Sequence, residues 1–235
     1  MNASRLLLIS NSRKFGGGYL EHCADAVRTF LGSVQTVLFV PYALKDMESY
    51  TATARGRFQE LGFELVSVHE MDDPFEAVSR AQAVFIGGGN TFRLLRLMYK
   101  YQLVSAIRER VIADMPYIGS SAGSNVACPT ICTTNDMPIV HLETFQALNL
   151  VPFQINPHYL DPDPNSKHMG ETRETRIKEY HEENSLPVVG LREGSWLRVE
   201  GNEVFLEGST GARIFTQGSE PFNADSGLIS DLVGR

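Results

Sequence analysis

The sequence predicts an α/β protein in which a mostly parallel β-sheet carries helices on both faces. Short apolar runs of strand length alternate with amphipathic segments of helix length, which is typical of parallel strands joined by crossover helices. The chain has 235 residues, the size of one large domain, and neither a linker nor a low-complexity tract divides it. We therefore expect a single domain over residues 1–235.

Apolar runs in the first half of the chain predict five buried strands: Arg5–Ser10, Thr36–Tyr42, Phe63–Val68, Ala83–Ile86 and Tyr117–Gly119. The amphipathic segments between them predict helices, which begin near Tyr19, cover Met47–Leu61, start at Asp73, pass through Leu94 to Met98, and cover Ile107–Ile112. The start at Asp73 is the clearest, because an aspartate that can cap the helix is followed by proline in the first turn.

The alternation weakens after Pro129, where strands and loops replace it. The strands predicted there are Phe153–Asn156 and Val188–Leu191, with the polar helix Glu171–Glu183 between them. A C-terminal β-hairpin is predicted from Trp196–Val199 and Val204–Leu206, which are joined through Gly201 and Asn202.

Composition and charge exclude several classes of protein. The apolar run Leu6–Ile9 is too short for a signal sequence or a membrane span. Three cysteines without metal-site spacing predict reduced thiols, so we expect a cytoplasmic protein. The net charge of −7 argues against binding to nucleic acid or to a membrane, and an acidic substrate would need a local cationic pocket.

The segment Gly119–Gly123 fits the pattern G-x-S-x-G at a strand-to-helix junction, which is typical of a nucleophile elbow. The register makes Ser121 the candidate nucleophile. The backbone amide of Ala122, at the start of the helix, is then a candidate oxyanion donor. The alternative is a turn of small residues that a serine merely caps.

A serine nucleophile needs a base, because its hydroxyl is not ionised at neutral pH. His158 is the best candidate because it follows the strand Phe153–Asn156, and His69 is the next best. Asp136 and Glu193 are candidates for the acid that orients the imidazole, since both follow strands whose ends we expect at one sheet edge. Spacing does not choose between them, and each also fits a simple turn. Histidine spacing does not fit a catalytic metal site.

Two further segments contain candidate binding groups. Gly87–Thr91 lacks the lysine and the spacing of a phosphate loop, so we expect a second oxyanion donor near Gly89, or else a plain tight turn. Arg173 lies in the polar segment Gly170–Arg176. It either belongs to a solvated, ion-paired helix or binds a substrate carboxylate.

Taken together, these motifs resemble those of peptidase E, the aspartyl dipeptidase family of serine peptidases. The matching stretches run in the family's order over nearly the whole chain: Leu8–Ser12, Ile86–Phe92, Gly119–Asn125, Thr133–Ile139, Gln154–His158 and Gly170–Arg173. The resemblance implies a flavodoxin-like sandwich similar to class I glutamine amidotransferase domains. It also implies a cytosolic enzyme that cleaves dipeptides with an N-terminal aspartate, without a metal or cofactor.

The resemblance also implies roles for single residues. Ser121 matches the nucleophile and His158 the base, while Asp136 and Glu193 both match acids proposed for the third position. Gly89 matches the glycine proposed to donate to the oxyanion, with Ala122 as the other donor. Arg173 matches the arginine thought to bind the aspartyl side chain of the substrate. Ser120 departs from the pattern, because bacterial members usually carry tryptophan there, and this departure affects the expected shape of the pocket.

We therefore expect a serine dipeptidase that cleaves Asp-X through an acyl-enzyme on Ser121, with a small acidic dipeptide as its substrate. One alternative is hydrolysis of isoaspartyl or poly-aspartate-derived bonds, since related hydrolases resemble cyanophycinases. Another is a non-catalytic protein that binds an acidic metabolite or peptide. Glutamine amidotransfer is disfavoured because it needs a cysteine at the elbow.

Overall fold

The protein is described by a computed structural model that covers residues 4–163, 165, 167 and 169–234. Its helices are α1 (Ala24–Leu31), α2 (Met47–Leu61), α3 (Pro74–Arg80), α4 (Thr91–Lys100), α5 (Leu103–Ile112), α6 (Ala122–Asn125) and α7 (Arg173–Glu183). Its strands are β1 (Arg5–Ile9), β2 (Thr36–Val40), β3 (Glu64–Ser67), β4 (Ala83–Ile86), β5 (Tyr117–Ser120), β6 (Gln154–Tyr159), β7 (Val188–Arg192), β8 (Ser195–Glu200), β9 (Glu203–Gly208), β10 (Ala212–Phe215), β11 (Phe222–Ala224) and β12 (Gly227–Leu228).

The main sheet has eight strands in the order β12-β9-β8-β1-β5-β4-β2-β3. The strands from β1 to β3 in this order are all parallel, and β8, β9 and β12 extend the sheet in antiparallel fashion beside β1. The predicted α/β class and the mostly parallel sheet are confirmed, and the predicted hairpin is the pair β8–β9.

A second sheet of four strands has the order β11-β10-β7-β6. The sequence predicted that strands preceding Asp136 and Glu193 end at the edge of one sheet, and this prediction is wrong. The described residues between α6 and β6, which include Asp136, form no strand, whereas the strand before Glu193 is β7 of the second sheet. The strands β6 and β7 pair in parallel with each other. They do not join the main sheet beside β1, because β5 and β8 already occupy both sides of β1.

Apolar side chains on the two faces of the main sheet form two cores. Along β1, Leu6 and Leu8 face one side while Leu7 and Ile9 face the other, as the two-residue period of a strand requires. The core with Leu7 packs against α1 and α2. The core with Leu6 includes residues of α4, α5 and the second sheet, so the second sheet packs on that face.

Local signals explain where most helices begin. The Asp73 carboxylate accepts hydrogen bonds from the amides of Phe75 and Glu76, as its position before Pro74 predicts. The helix expected near Tyr19 begins later, because Leu20 has a left-handed backbone with φ of 52° and only a short 3-10 turn precedes α1. Within the described part of the chain, no helix combines the length and the apolar character needed to cross a bilayer.

Candidate active site

Ser121 occupies a sharp turn between β5 and α6. Its backbone has φ of 54° and ψ of −109°, which a residue with a side chain rarely adopts. The Ser121 amide donates to the carbonyl of Ile9 at 2.9 Å, which ties the turn to the end of β1. The turn directs the hydroxyl away from the sheet and into a cavity, as the elbow pattern predicts.

The glycines on either side of Ser121 allow the backbone to pass closely over itself. A Cβ atom at Gly123 would overlap the carbonyl oxygen of Ile86 at the end of β4. A Cβ atom at Gly119 would lie 2.5 Å from the carbonyl oxygen of Gly123. Both contacts involve backbone atoms that cannot rotate away, so the tight turn requires glycine at these two positions.

His158 connects Ser121 to Glu193. Its Nε2 atom lies 2.9 Å from the Ser121 Oγ, and its Nδ1 atom lies 2.6 Å from the Glu193 Oε1. The sequence predicted that His158 directly follows its strand. In the structure His158 instead lies inside β6, with φ of 53°, where the pairing with β7 is irregular. Such a bulge redirects a side chain out of the alternation of its strand.

Two buried side chains at the end of β1 hold these groups in place. The Ser10 Oγ accepts a hydrogen bond from the His158 amide at 3.0 Å and donates to the Leu191 carbonyl at 2.8 Å. The Asn11 Oδ1 accepts from the Gly194 amide at 2.8 Å, directly after Glu193. The sequence predicted no role for Ser10 and Asn11. The signal that could have indicated one is a pair of polar residues directly after a fully apolar strand.

Asp136 has different partners from Glu193. Its Oδ2 atom accepts hydrogen bonds from the amide of Thr91 at 2.7 Å, the Thr91 hydroxyl at 2.6 Å and the Thr134 hydroxyl at 3.3 Å. Thr91 is the first residue of α4, so the carboxylate lies at the helix N-terminus, which favours a negative charge. Of the two acids that the sequence left open, the structure therefore brings only Glu193 into contact with His158.

The candidate oxyanion donors lie on two sides of Ser121. Ala122 is the first residue of α6, and the amide of a first helical residue has no acceptor within its own helix. On the other side, a Cβ atom at Gly88 would lie 3.0 Å from the Ser121 Cβ. Gly89, which has φ of 134°, packs against the carbonyl of Ala43. Gly88 thus lies directly beside Ser121, next to the predicted donor Gly89.

A cavity of about 580 Å³ opens beside Ser121. Its walls combine hydroxyl, carboxylate and guanidinium groups with two glycines: Ser12, Arg13, Tyr19, Leu44, Asp46, Ser49, Tyr50, Thr53, Gly88, Gly89, Asp136 and His158. Burial raises the pKa of Tyr19 and of Tyr50, so both phenols are neutral hydroxyls at physiological pH. Ser120 is fully buried and does not line this cavity.

Arg173 is the first residue of α7 and is half-buried. It does not line the cavity beside Ser121 but a neighbouring pocket that it shares with Asn135 and Asp161. Burial, and to a lesser extent Arg176, lowers the pKa of the Arg173 guanidinium, while the carboxylate of Asp136 opposes this shift. In the described residues Arg173 has no ion-pair partner, so its charge is available to an acidic ligand.

The second histidine candidate, His69, and a possible metal site lie away from the cavity. His69 bonds through its ring to the Ser67 hydroxyl at 2.7 Å and to the Glu48 carboxylate at 3.2 Å. Among the residues that the structure describes, Glu48, His69 and Glu70 are the one group close enough together to share a metal ion. None of them lines the cavity, and the Glu70 carboxylate already pairs with Arg55.

Comparison with known proteins identifies the family. The pattern that describes Peptidase family S51 matches residues 6–207. Peptidase E of Streptomyces coelicolor is 54% identical over 216 residues, which make up 92% of this chain and 89% of that protein. A Drosophila melanogaster protein named as an alpha-aspartyl dipeptidase is 51% identical over 217 residues, or 91% of this chain and 90% of its own.

The chain belongs to peptidase family S51. The resemblance noted from the sequence is thereby confirmed, as is the expectation of a serine-type peptide hydrolase. Two solved structures agree on the S51 fold. A peptidase from an acI-B1 Actinobacterium has a TM-score of 0.68 at 16% identity and covers 94% of this chain and 97% of its own. A Listeria monocytogenes structure described as a peptidase E has a TM-score of 0.69 at 23% identity, and the match covers 88% of this chain and 99% of that one.

The tight turn around Ser121 should make two glycine substitutions differ in their effect on the free energy of unfolding. Gly123→Ala should lower the free energy of unfolding by about 3 kcal/mol or more, because its methyl group would overlap the Ile86 carbonyl. Gly56→Ala is the matched control, since Gly56 lies within α2 with no atom near its Cβ position. This control should raise the free energy of unfolding by about 0.5–1 kcal/mol. Urea denaturation measures both, and equal effects would contradict the close approach.

Proposed function

We propose that this S51 peptidase hydrolyses dipeptides with an N-terminal aspartate through an acyl-enzyme on Ser121. The observation that carries the proposal is the continuous chain of short contacts from Glu193 through His158 to Ser121. Relatives named peptidase E and alpha-aspartyl dipeptidase support the choice of substrate.

In the first half of the reaction, the His158 Nε2 accepts the proton of the Ser121 hydroxyl as the oxygen attacks the carbonyl of the aspartyl residue. The same imidazole then donates that proton to the leaving amine, so the peptide bond breaks and the acyl-enzyme remains. A water molecule repeats both steps and releases aspartate. Glu193 holds the ring through Nδ1 and stabilises the imidazolium ion that forms in between.

The oxyanion of each tetrahedral intermediate lies against backbone amides in this proposal. The Ala122 amide is one donor, because it starts α6 and points away from its own helix. The second donor comes from the glycine segment that contains Gly88 and Gly89, of which Gly88 lies directly beside Ser121. One such donor is typically worth about 3–4 kcal/mol in the transition state.

Recognition of the aspartyl residue needs a group for each of its charges. We assign Arg173 to the side-chain carboxylate, because its guanidinium is half-buried and has no ion-pair partner in the described residues. We assign Asp136 to the free α-ammonium group, because Asp136 lines the cavity and Thr91 fixes its carboxylate. The two residues already interact electrostatically, which fits their binding opposite charges of one small residue.

The nucleophile is tested with a panel of Asp-Leu, β-Asp-Leu, Asn-Leu and Leu-Leu. We expect release of leucine from Asp-Leu and a loss of at least about a thousandfold in Ser121→Ala. Ser120→Ala is the control, because the buried Ser120 hydroxyl has no partner in the described residues and lies outside the cavity. Preference for β-Asp-Leu would indicate an isoaspartyl hydrolase, and saturable binding without turnover would indicate a binding protein.

The two acids should differ in which kinetic constant they change. Glu193→Gln should lower kcat by about 10³- to 10⁴-fold, because an amide no longer stabilises the imidazolium ion. Asp136→Asn should raise KM for Asp-Leu while kcat stays within about threefold, since an asparagine oxygen still accepts from Thr91. Steady-state kinetics over several Asp-Leu concentrations separates the two constants. The opposite pattern would make Asp136 the acid that orients His158.

Arg173→Gln should reduce kcat/KM for Asp-Leu by about 30-fold or more, because a buried carboxylate would lose its cation. The same variant should change kcat/KM for the uncharged Asn-Leu by less than about threefold. Lys178→Gln is the matched control on the same helix, since Lys178 lines neither pocket and pairs with Glu174 at 3.0 Å. Equal losses on Asp-Leu and Asn-Leu would refute the assignment of Arg173.

A further inference from the structure

The cavity beside Ser121 extends well beyond the groups assigned to the aspartyl residue. The loop after β1 forms one wall, and the start of α2 forms another through Asp46 and Ser49. Its volume of about 580 Å³ is within the range of sites that enclose a whole small molecule. The part of the cavity near Arg13 therefore has room for the second residue of a dipeptide.

Of the described residues that line this cavity, Arg13 alone carries a guanidinium or ammonium group. The two lining carboxylates have other partners, since Asp46 caps α2 through the Ser49 amide and Asp136 binds Thr91. Within the described chain, Arg13 takes part in no ion pair, in contrast to Arg55, which pairs with Glu70. The cavity thus contains a cation that no carboxylate among the described residues pairs with.

The structure fixes the position of Arg13 more closely than its exposure suggests. Its carbonyl accepts a hydrogen bond of 2.7 Å from the side chain of Asn11, the buried residue that also binds the Gly194 amide. Its guanidinium carbon lies 6.0 Å from the ring centroid of Tyr19, within the range of a cation–π interaction. Tyr19 in turn contacts Tyr50 edge-on inside the core. Arg13 is therefore held at the wall of the cavity from its backbone and from its side chain.

We infer that Arg13 binds the C-terminal carboxylate of the leaving residue. This inference rests on the proposed function, in which His158 protonates the amine of that residue. A dipeptide such as Asp-Leu carries two carboxylates at opposite ends, and Arg173 accounts for only one of them. Arg13 and Arg173 line two separate pockets, with His158 and Ser121 in the wall of the Arg13 pocket. Each arginine therefore matches one end of the substrate.

The assignment explains how the site would distinguish a dipeptide from a longer peptide. In a tripeptide, a neutral amide replaces the carboxylate at the position of Arg13, and the guanidinium then loses its ionic partner. A charge-assisted hydrogen bond is stronger than a neutral one, and a guanidinium can bind a carboxylate in bidentate fashion. Arg13 thereby selects substrates that end after the second residue.

The test compares Asp-Leu with its C-terminal amide, Asp-Leu-NH₂, in wild type and in Arg13→Gln. Wild type should show a kcat/KM about 10- to 100-fold higher for Asp-Leu than for the amide. Arg13→Gln should remove most of this difference by lowering kcat/KM for Asp-Leu alone. Lys14→Gln is the matched control, because this neighbouring cation lies outside the cavity and contacts Ser209, and it should keep the wild-type ratio.

Equal losses on both substrates in Arg13→Gln, or an unchanged ratio, would overturn the inference. A wild-type protein that cleaves neither substrate would refute the proposed function instead, and binding then tests Arg13 separately. Calorimetry with Ser121→Ala should show Asp-Leu binding more tightly than Asp-Leu-NH₂, and adding Arg13→Gln should abolish the difference. No preference for the free carboxylate in this measurement would also overturn the role of Arg13.

Discussion

The candidate site depends on a junction between two sheets. Ser121 follows β5 of the main sheet, whereas His158 lies in β6 and Glu193 follows β7 of the second sheet. The 2.9 Å contact between His158 and Ser121 therefore requires the two sheets to hold a fixed position relative to each other. Ser10 and Asn11 provide this link, because both extend β1 of the main sheet and bond to the backbone beside His158 and Glu193. Both side chains are fully buried. A buried polar group that loses its hydrogen-bond partner is destabilising, because its desolvation is no longer compensated. The junction therefore resists displacements that would separate Ser121 from His158.

Backbone strain at the site has the same origin. Ser121 and His158 both have positive φ, near 54° and 53°, although neither is glycine. Such conformations cost about 1–3 kcal/mol each and persist only where the surroundings fix them. At Ser121 the amide bonds to Ile9, and at His158 the amide bonds to Ser10, so both strained residues are tied to the end of one strand. The end of β1 thus supports the positions of Ser121 and His158 together.

Local patterns made the first half of the fold and the elbow predictable. The apolar runs marked the parallel strands, and G-x-S-x-G marked Ser121, because both signals lie within a few adjacent residues. The apolar runs also indicated β6 and β7, but an apolar run does not say which strands pair with each other, so the second sheet escaped prediction. For the same reason the bulge at His158 and the choice of Glu193 over Asp136 as its partner needed the structure. Both acids follow strands or turns, and only the packing of the sheets decides which one reaches the imidazole.

The charge of the molecule imposes a last constraint on the proposed chemistry. A protein with a net charge of −7 repels a substrate that carries two carboxylates, unless cations are concentrated where those groups bind. Arg173 and Arg13 both lack an ion-pair partner in the described residues, and they line two neighbouring pockets. Asp136 lines the same cavity as Arg13 and interacts electrostatically with Arg173. The N-terminus of α4 stabilises its negative charge. This arrangement of two cations around one fixed anion complements an aspartyl dipeptide, whose single ammonium group lies near one of its two carboxylates. A dipeptide with an uncharged first side chain would bind less tightly, because Arg173 would have to give up water without gaining a carboxylate, although Arg13 would still bind the C-terminal carboxylate.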